Sequence, residues 1–190
     1  MTTPPADTEP ARGAPTRGAA TRSAVIVNVP EAEDVVGQFR AALDPSAAMG
    51  VPAHVTVLFP FVPPASIDRD IIMALSDAVG SFGAFDVIFR RVCWFSDAVV
   101  WLAPEPADPF RKLIELVSKR FPDHPPYGGI YEDIVPHLTI GEGAPLNDMR
   151  LAAEAIAANL PISQRVDRLT LIQGSNRPLS WHTVAELPLN

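Results

Sequence analysis

The chain has 190 residues, 47% of them hydrophobic, with a net charge of −7, a pI near 5.0 and a single cysteine, Cys93. That length suits one domain or two small lobes sharing a core, and no apolar run reaches the ~18–20 residues that cross a bilayer. The acidic balance argues against an extended basic groove for long nucleic acid, and one thiol excludes an internal disulfide and a Cys-based zinc site.

Residues 1–23 carry Pro, Thr, Ala, Gly and Arg but no large apolar side chain. Nothing there offsets the entropy of ordering, so the segment reads as a disordered N-terminal tail and the folded domain as 24–190. "AVIVNV" at 24–29 reads as a strand. Residues 31–44 read as a helix with Val35, Phe39, Ala42 and Leu43 on one face, stopped before Pro45. "HVTVLF" at 54–59 is a strand. Residues 66–80 form a helix, with Ser66 as N-cap and Gly80 beyond its end. Residues 85–95, with Cys93 as a small buried hydrophobe, and 98–104 make a hairpin around Ser96-Asp97. A helix starts at Asp108-Pro109, its apolar face made by Phe110, Leu113, Ile114, Val117 and Phe121. The long loop 122–136 leads to the strand "HLTI" and then to a helix near Asn147, where Leu146 and Leu151 form a hydrophobic staple. Strands at 162–172 and 181–187 close the chain.

Strands joined by hairpins, with helices between them, predict an α+β fold rather than a doubly wound parallel sheet. A His-x-Thr strand, a helix, a long strand and a return strand occur in that order twice, at 54–103 and at 137–187. The repetition suggests two lobes, each carrying one motif.

Side chains alternate along a strand, so His54 and Thr56 share one face with Cα atoms roughly 6.5–7 Å apart, while Val55 and Val57 turn to the core. His137 and Thr139 repeat the pattern over Leu138 and Ile140. If the lobes pack about a pseudo-twofold axis, two histidines and two threonines converge on one cleft. Such a quartet suits phosphoryl chemistry: one imidazole removes a proton, the other supplies one, and the hydroxyls donate to non-bridging oxygens. Ordinary imidazoles would place the two pH limbs on either side of ~6.5. Hydroxyls cannot neutralise a triphosphate, so a phosphodiester of low charge fits better. The plainer alternative is that each histidine only caps a strand edge.

Metal binding needs three or four ligands at short spacing, and His124 and His182 lack such partners. His124 reads as a solvated loop residue and His182 as a strand-edge residue. No metal and no cofactor is expected. In the loop, Tyr127 and Tyr131 could stack on a base beside the mobile Gly128-Gly129, or pack locally. Arg90 and Arg91, with Arg165 and Arg168, are candidates for phosphate binding or ordinary surface arginines.

In "HVTVLFPF" and "PHLTIGEG" the chain resembles the 2H phosphoesterase superfamily, which includes 2′-5′ RNA ligase-like proteins and RNA 2′,3′-cyclic phosphodiesterases. The likeness covers most of 24–187. It implies a bilobal fold of two antiparallel sheets flanked by helices around a central cleft. It carries His54 and His137 over as acid/base residues and Thr56 and Thr139 as phosphate binders, with Tyr127, Tyr131, Arg91 and Arg168 as substrate-binding candidates. Members need no metal or nucleotide cofactor. The implied substrate is a cyclic nucleotide or RNA end; with no membrane-length run in the sequence, a cytoplasmic monomer without a membrane partner is expected. A nucleotide- or RNA-end-binding module without turnover is the rival reading. The acidic charge and "LFPF" after the first motif depart from common bacterial members and weigh against ligation of long RNA.

Overall fold

Residues 19–190 are described in the computed structural model. The first strand, β1 (Arg22–Asn28), begins inside the segment read as tail. The rest of that reading, residues 1–18, lies outside the described residues. Two helices follow, α1 (Glu33–Leu43) and the short α2 (Pro45–Ala48), and then β2 (His54–Leu58). Next come α3 (Arg69–Val79), the hairpin of β3 (Phe85–Phe95) and β4 (Val99–Glu105), and α4 (Asp108–Arg120). The chain ends with β5 (Leu138–Glu142), α5 (Leu146–Ala157), β6 (Ile162–Val166), β7 (Arg168–Gly174) and β8 (His182–Pro188).

The strands form two four-stranded antiparallel sheets, in the orders β2-β1-β7-β8 and β5-β4-β3-β6, flanked by helices: an α+β fold. The sheets do not follow the sequence repeats. The first motif strand, β2, joins the sheet that holds the hairpin of the second repeat, and β5 joins the hairpin of the first. Both motif strands are sheet edges, and they lie against each other.

The expected strand at 162–172 breaks at Asp167, and its two parts enter different sheets. β6 pairs with β3 and alternates buried with exposed residues, as an edge strand does; β7 lies between β1 and β8 and buries four residues in a row. β1 is buried on both faces. Val25 and Val27 enter the main core, while Ala24 and Ile26 join Val51, Ile172 and Trp181 in a smaller apolar cluster. The main core is closed by fully buried Phe89, Phe110, Leu75, Leu102 and Leu138, each stabilising the fold by about 1.5–3 kcal/mol.

Helix α4 buries the expected face. Helix α1 is rotated from expectation. It buries Val36, Arg40 and Leu43, because Arg40 turns inward to an ion pair with Asp44, and Val35 and Phe39 are left at the edge of the core. As expected, α1 ends before Pro45, and a separate short helix starts there: Asp44 caps α2 by accepting the Ser46 N–H. Asp68 caps α3, accepting the Ile71 N–H at 2.9 Å, while Ser66 ends a preceding 3₁₀ turn. The staple in α5 does not form. Leu151 is exposed, and Met149, Ala152 and Ile156 take the core positions. Cys93 is a free thiol, half-buried rather than buried. No helix among the described residues is long and apolar enough to cross a membrane.

Candidate active site

A cleft of about 800 Å³ takes its lining from both sheets. His54 and Thr56 reach it from β2, and His137 and Thr139 from β5 and its approach. Strand alternation explains the pairing, since Val55, Val57, Leu138 and Ile140 point into the core and are at most 2% exposed.

The two imidazoles are held in the same way. His54 Nδ1 lies 2.7 Å from the carbonyl of Pro52, and His137 Nδ1 lies 2.8 Å from that of Val135. A carbonyl only accepts, so Nδ1 carries the proton in each neutral ring, and Nε2 is left for the cleft. His137 also meets Phe95 edge-on, with centroids 5.1 Å apart, and Trp101 at 5.8 Å; these two rings stack on each other.

Burial pushes the His54 pKa down to about 4, helped by the Arg40 charge and less strongly by His137. The Pro52 carbonyl and Asp44 act the other way. His137 is also lowered by burial, against the Val135 carbonyl and the Glu142 charge. Both rings are therefore mostly neutral near pH 7, and His54, the more strongly lowered, is the more fully available as a proton acceptor.

Both loop tyrosines line the cleft, packed edge-to-face at 5.6 Å. Tyr127 adopts φ 51° and donates its backbone N–H to the Phe59 carbonyl. Burial raises its phenol pKa, and a polar interaction with the Thr56 side chain works against that rise.

Arg91 and Arg168 stand outside the cleft. Arg91 is paired with Glu105 at 2.8 Å across the β3–β4 hairpin, and Arg168 with Asp167 and Glu186 at 2.8 and 3.0 Å. These exposed carboxylates already occupy their guanidinium groups. Arg22, inside the segment read as tail, lines the cleft in their place. Its guanidinium lies 5.8 Å from the ring centre of Phe59 and 6.0 Å from that of Trp181, and its side chain bonds to Asn176. Trp181 fits because residue 174 is glycine: a Cβ there would come within 2.4 Å of the indole. With Met49, Ile26 and Ile172 these rings make an apolar end to the cleft. No sequence signal singled out Arg22, Phe59 or Trp181, since only chain closure brings the three together.

Asp44, Asp133 and Glu142 also line the cleft. Among the described residues, no three His, Cys, Asp or Glu side chains are grouped so as to hold a metal ion. His124 packs against Phe61 at 6.2 Å, and His182 opens β8 with Nδ1 on the Ser180 carbonyl; neither lines the cleft.

The family model of the 2′-5′ RNA ligase superfamily matches residues 28–178. The fold is similar to that of E. coli LigT in apo form (20% identity, TM-score 0.59, covering 90% of this chain and 98% of that one). E. coli LigT complexed with 3′-AMP aligns at 17% identity and TM-score 0.56, covering 90% and 99%. TT0787 of Thermus thermophilus aligns at 16% identity and TM-score 0.59, covering 88% and 97%. No curated protein sequence matches the chain. The chain belongs to the 2′-5′ RNA ligase superfamily, within the 2H phosphoesterases.

Proposed function

We propose that this 2′-5′ RNA ligase superfamily member is a metal-independent phosphoesterase, acting on a 2′,3′-cyclic phosphate or a 2′-5′ phosphodiester of a nucleotide or RNA end. The observation that carries the reading is the convergence of both His-x-Thr pairs on one cleft, each imidazole oriented by the same backbone hydrogen bond.

The reaction is read as an in-line displacement at phosphorus. His54, with the lower pKa, is the neutral base: its Nε2 takes a proton from an attacking water. The new P–O bond forms as the bond to the ribose oxygen breaks. His137 is the acid, and its protonated Nε2 delivers a proton to that leaving oxygen. Glu142 favours this charged form. The Thr56 and Thr139 hydroxyls donate to the non-bridging oxygens as their charge grows. Net, one water is consumed; a cyclic phosphate opens to one phosphomonoester, and a 2′-5′ diester gives a phosphomonoester and the free ribose hydroxyl of its leaving group.

Size and charge support a small substrate. Among the described residues, Asp44 is neutralised by Arg40, which leaves Asp133 and Glu142 against the cleft-lining Arg22; that balance disfavours a polyanion, while a single diester charge is tolerable. The apolar end around Phe59 and Trp181, with the Arg22 guanidinium above them, is suited to a flat base, as are Tyr127 and Tyr131. That LigT has been solved with 3′-AMP supports a nucleotide here.

The test is a panel of 2′,3′-cyclic nucleoside monophosphates, 2′-5′ and 3′-5′ dinucleotides and simple phosphomonoesters, followed by chromatography. Cyclic or 2′-5′ substrates are expected to turn over and phosphomonoesters to persist. Tight binding across the panel with no product would replace catalysis with the binding-module reading.

A further inference from the structure

We infer that Glu33, Arg40 and Asp44 are positioning residues for His54, a network on α1 and its end, centred on the buried Arg40–Asp44 pair, that fixes the peptide segment orienting its ring. The inference rests on the proposed role of His54 in proton transfer.

The three positions are separated by seven and four residues, so they follow one side of α1 and its end. Arg40 is only 2% exposed and Asp44 4%. Arg40 Nε and Nη2 donate to Asp44 Oδ2 at 3.1 and 2.8 Å, and Asp44 also accepts from the Ser46 hydroxyl and N–H. Two contacts leave this network for the strand that carries the histidine. Arg40 Nη2 donates to the Val51 carbonyl at 3.2 Å, and Glu33 Oε1 accepts the Ala53 N–H at 2.6 Å. Glu33 itself lies 3.9 Å from Arg40 Nη1.

The pinned groups flank Pro52 on both sides. Pro52 supplies the carbonyl that takes the His54 Nδ1 proton at 2.7 Å, and its ring fixes its own φ. With 51 and 53 held from α1, the Pro52 carbonyl has one orientation to offer, and the imidazole has one tautomer and one direction. The carbonyl behind His137 is set differently: Val135 is 39% exposed at the end of the long loop. The charges facing His54 are Arg40 and Asp44 from α1 and its end, and His137 from the opposing strand. A buried ion pair contributes little net stability, because desolvation of both charges offsets their attraction. Orientation of the segment before β2 is the effect that this pair does supply.

The test uses imidazole ¹⁵N NMR on the full chain, with kcat and KM measured on the best substrate of the panel. In the wild type, His54 is expected as the Nδ1–H tautomer. Glu33→Ala removes the acceptor for Ala53 and should shift His54 toward a mixture of tautomers, lowering kcat about tenfold with KM within twofold. Glu33→Gln keeps an acceptor oxygen and should restore both. Arg40→Met should give the larger tautomer change. Should it fail to fold, Glu33→Ala, whose side chain is 42% exposed, decides. A folded Glu33→Ala protein with the wild-type tautomer and wild-type kcat would overturn the inference. A wild type that turns over nothing while the tautomer shift still appears would remove the functional reading and leave the positioning intact.

Discussion

Replacing either His54 or His137 with alanine is expected to lower kcat by ~10²-fold or more, with thermal unfolding almost unchanged. In the proposed reaction each imidazole moves a different proton, so neither would substitute for the other. Each ring is half-buried at the cleft and anchored by a backbone carbonyl, and His137 also rests on Phe95 and Trp101 at the cleft wall. The pH profile should carry the same signature. As pH rises through about 4, His54 loses its proton and becomes the base, so kcat/KM rises. Higher up, His137 loses the proton it must donate, and kcat/KM falls. Burial lowers that second limb below 6.5. The bell should therefore lie on the acid side of 6.5, not astride it as two ordinary imidazoles would place it. His54→Ala should abolish the low-pH limb. An optimum above pH 7, or full activity in either alanine variant, would rule out these roles.

Thr56→Val and Thr139→Val are expected to cost up to ~10²–10³-fold each in kcat. Valine keeps the branched shape on the strand and removes the hydroxyl proposed to donate to the phosphate. Negative charge on the non-bridging oxygens grows toward the transition state, so the loss should appear in kcat more than in KM. Thr139 is the cleaner probe, because Thr56 also interacts with Tyr127 and its removal loosens the loop. Turnover within threefold of wild type in both valine variants would make the hydroxyls bystanders.

The pieces legible in the sequence were those governed by local periodicity. A period of two set His54 beside Thr56 and His137 beside Thr139, and a helical period found the buried face of α4. What the sequence hid depends on tertiary pairing. Residues 162–172 read as one strand because both halves are rich in β-formers, and only Asp167 marks the place where the chain changes sheets. Arg40 has the spacing of an ordinary solvated charge until Asp44 folds beneath it. Arg91 and Arg168 were candidates for phosphate, but Glu105 and Glu186 lie across from them on neighbouring strands, pairings that no local pattern announces. Arg22 looked like tail because its neighbours on the N-terminal side carry no large apolar residue, and it is held instead by Phe59, Trp181 and Asn176, far along the chain.

The most direct test of metal-free, two-histidine cleavage is a ³¹P NMR time course of a nucleoside 2′,3′-cyclic phosphate with the wild-type protein in excess EDTA. A base and an acid fixed on opposite sides of the phosphate allow one leaving oxygen. The cyclic resonance should therefore give way to a single phosphomonoester isomer at a rate unaffected by the chelator. A reaction that stops in EDTA and resumes with a divalent ion, or one that yields both isomers equally, would contradict the mechanism.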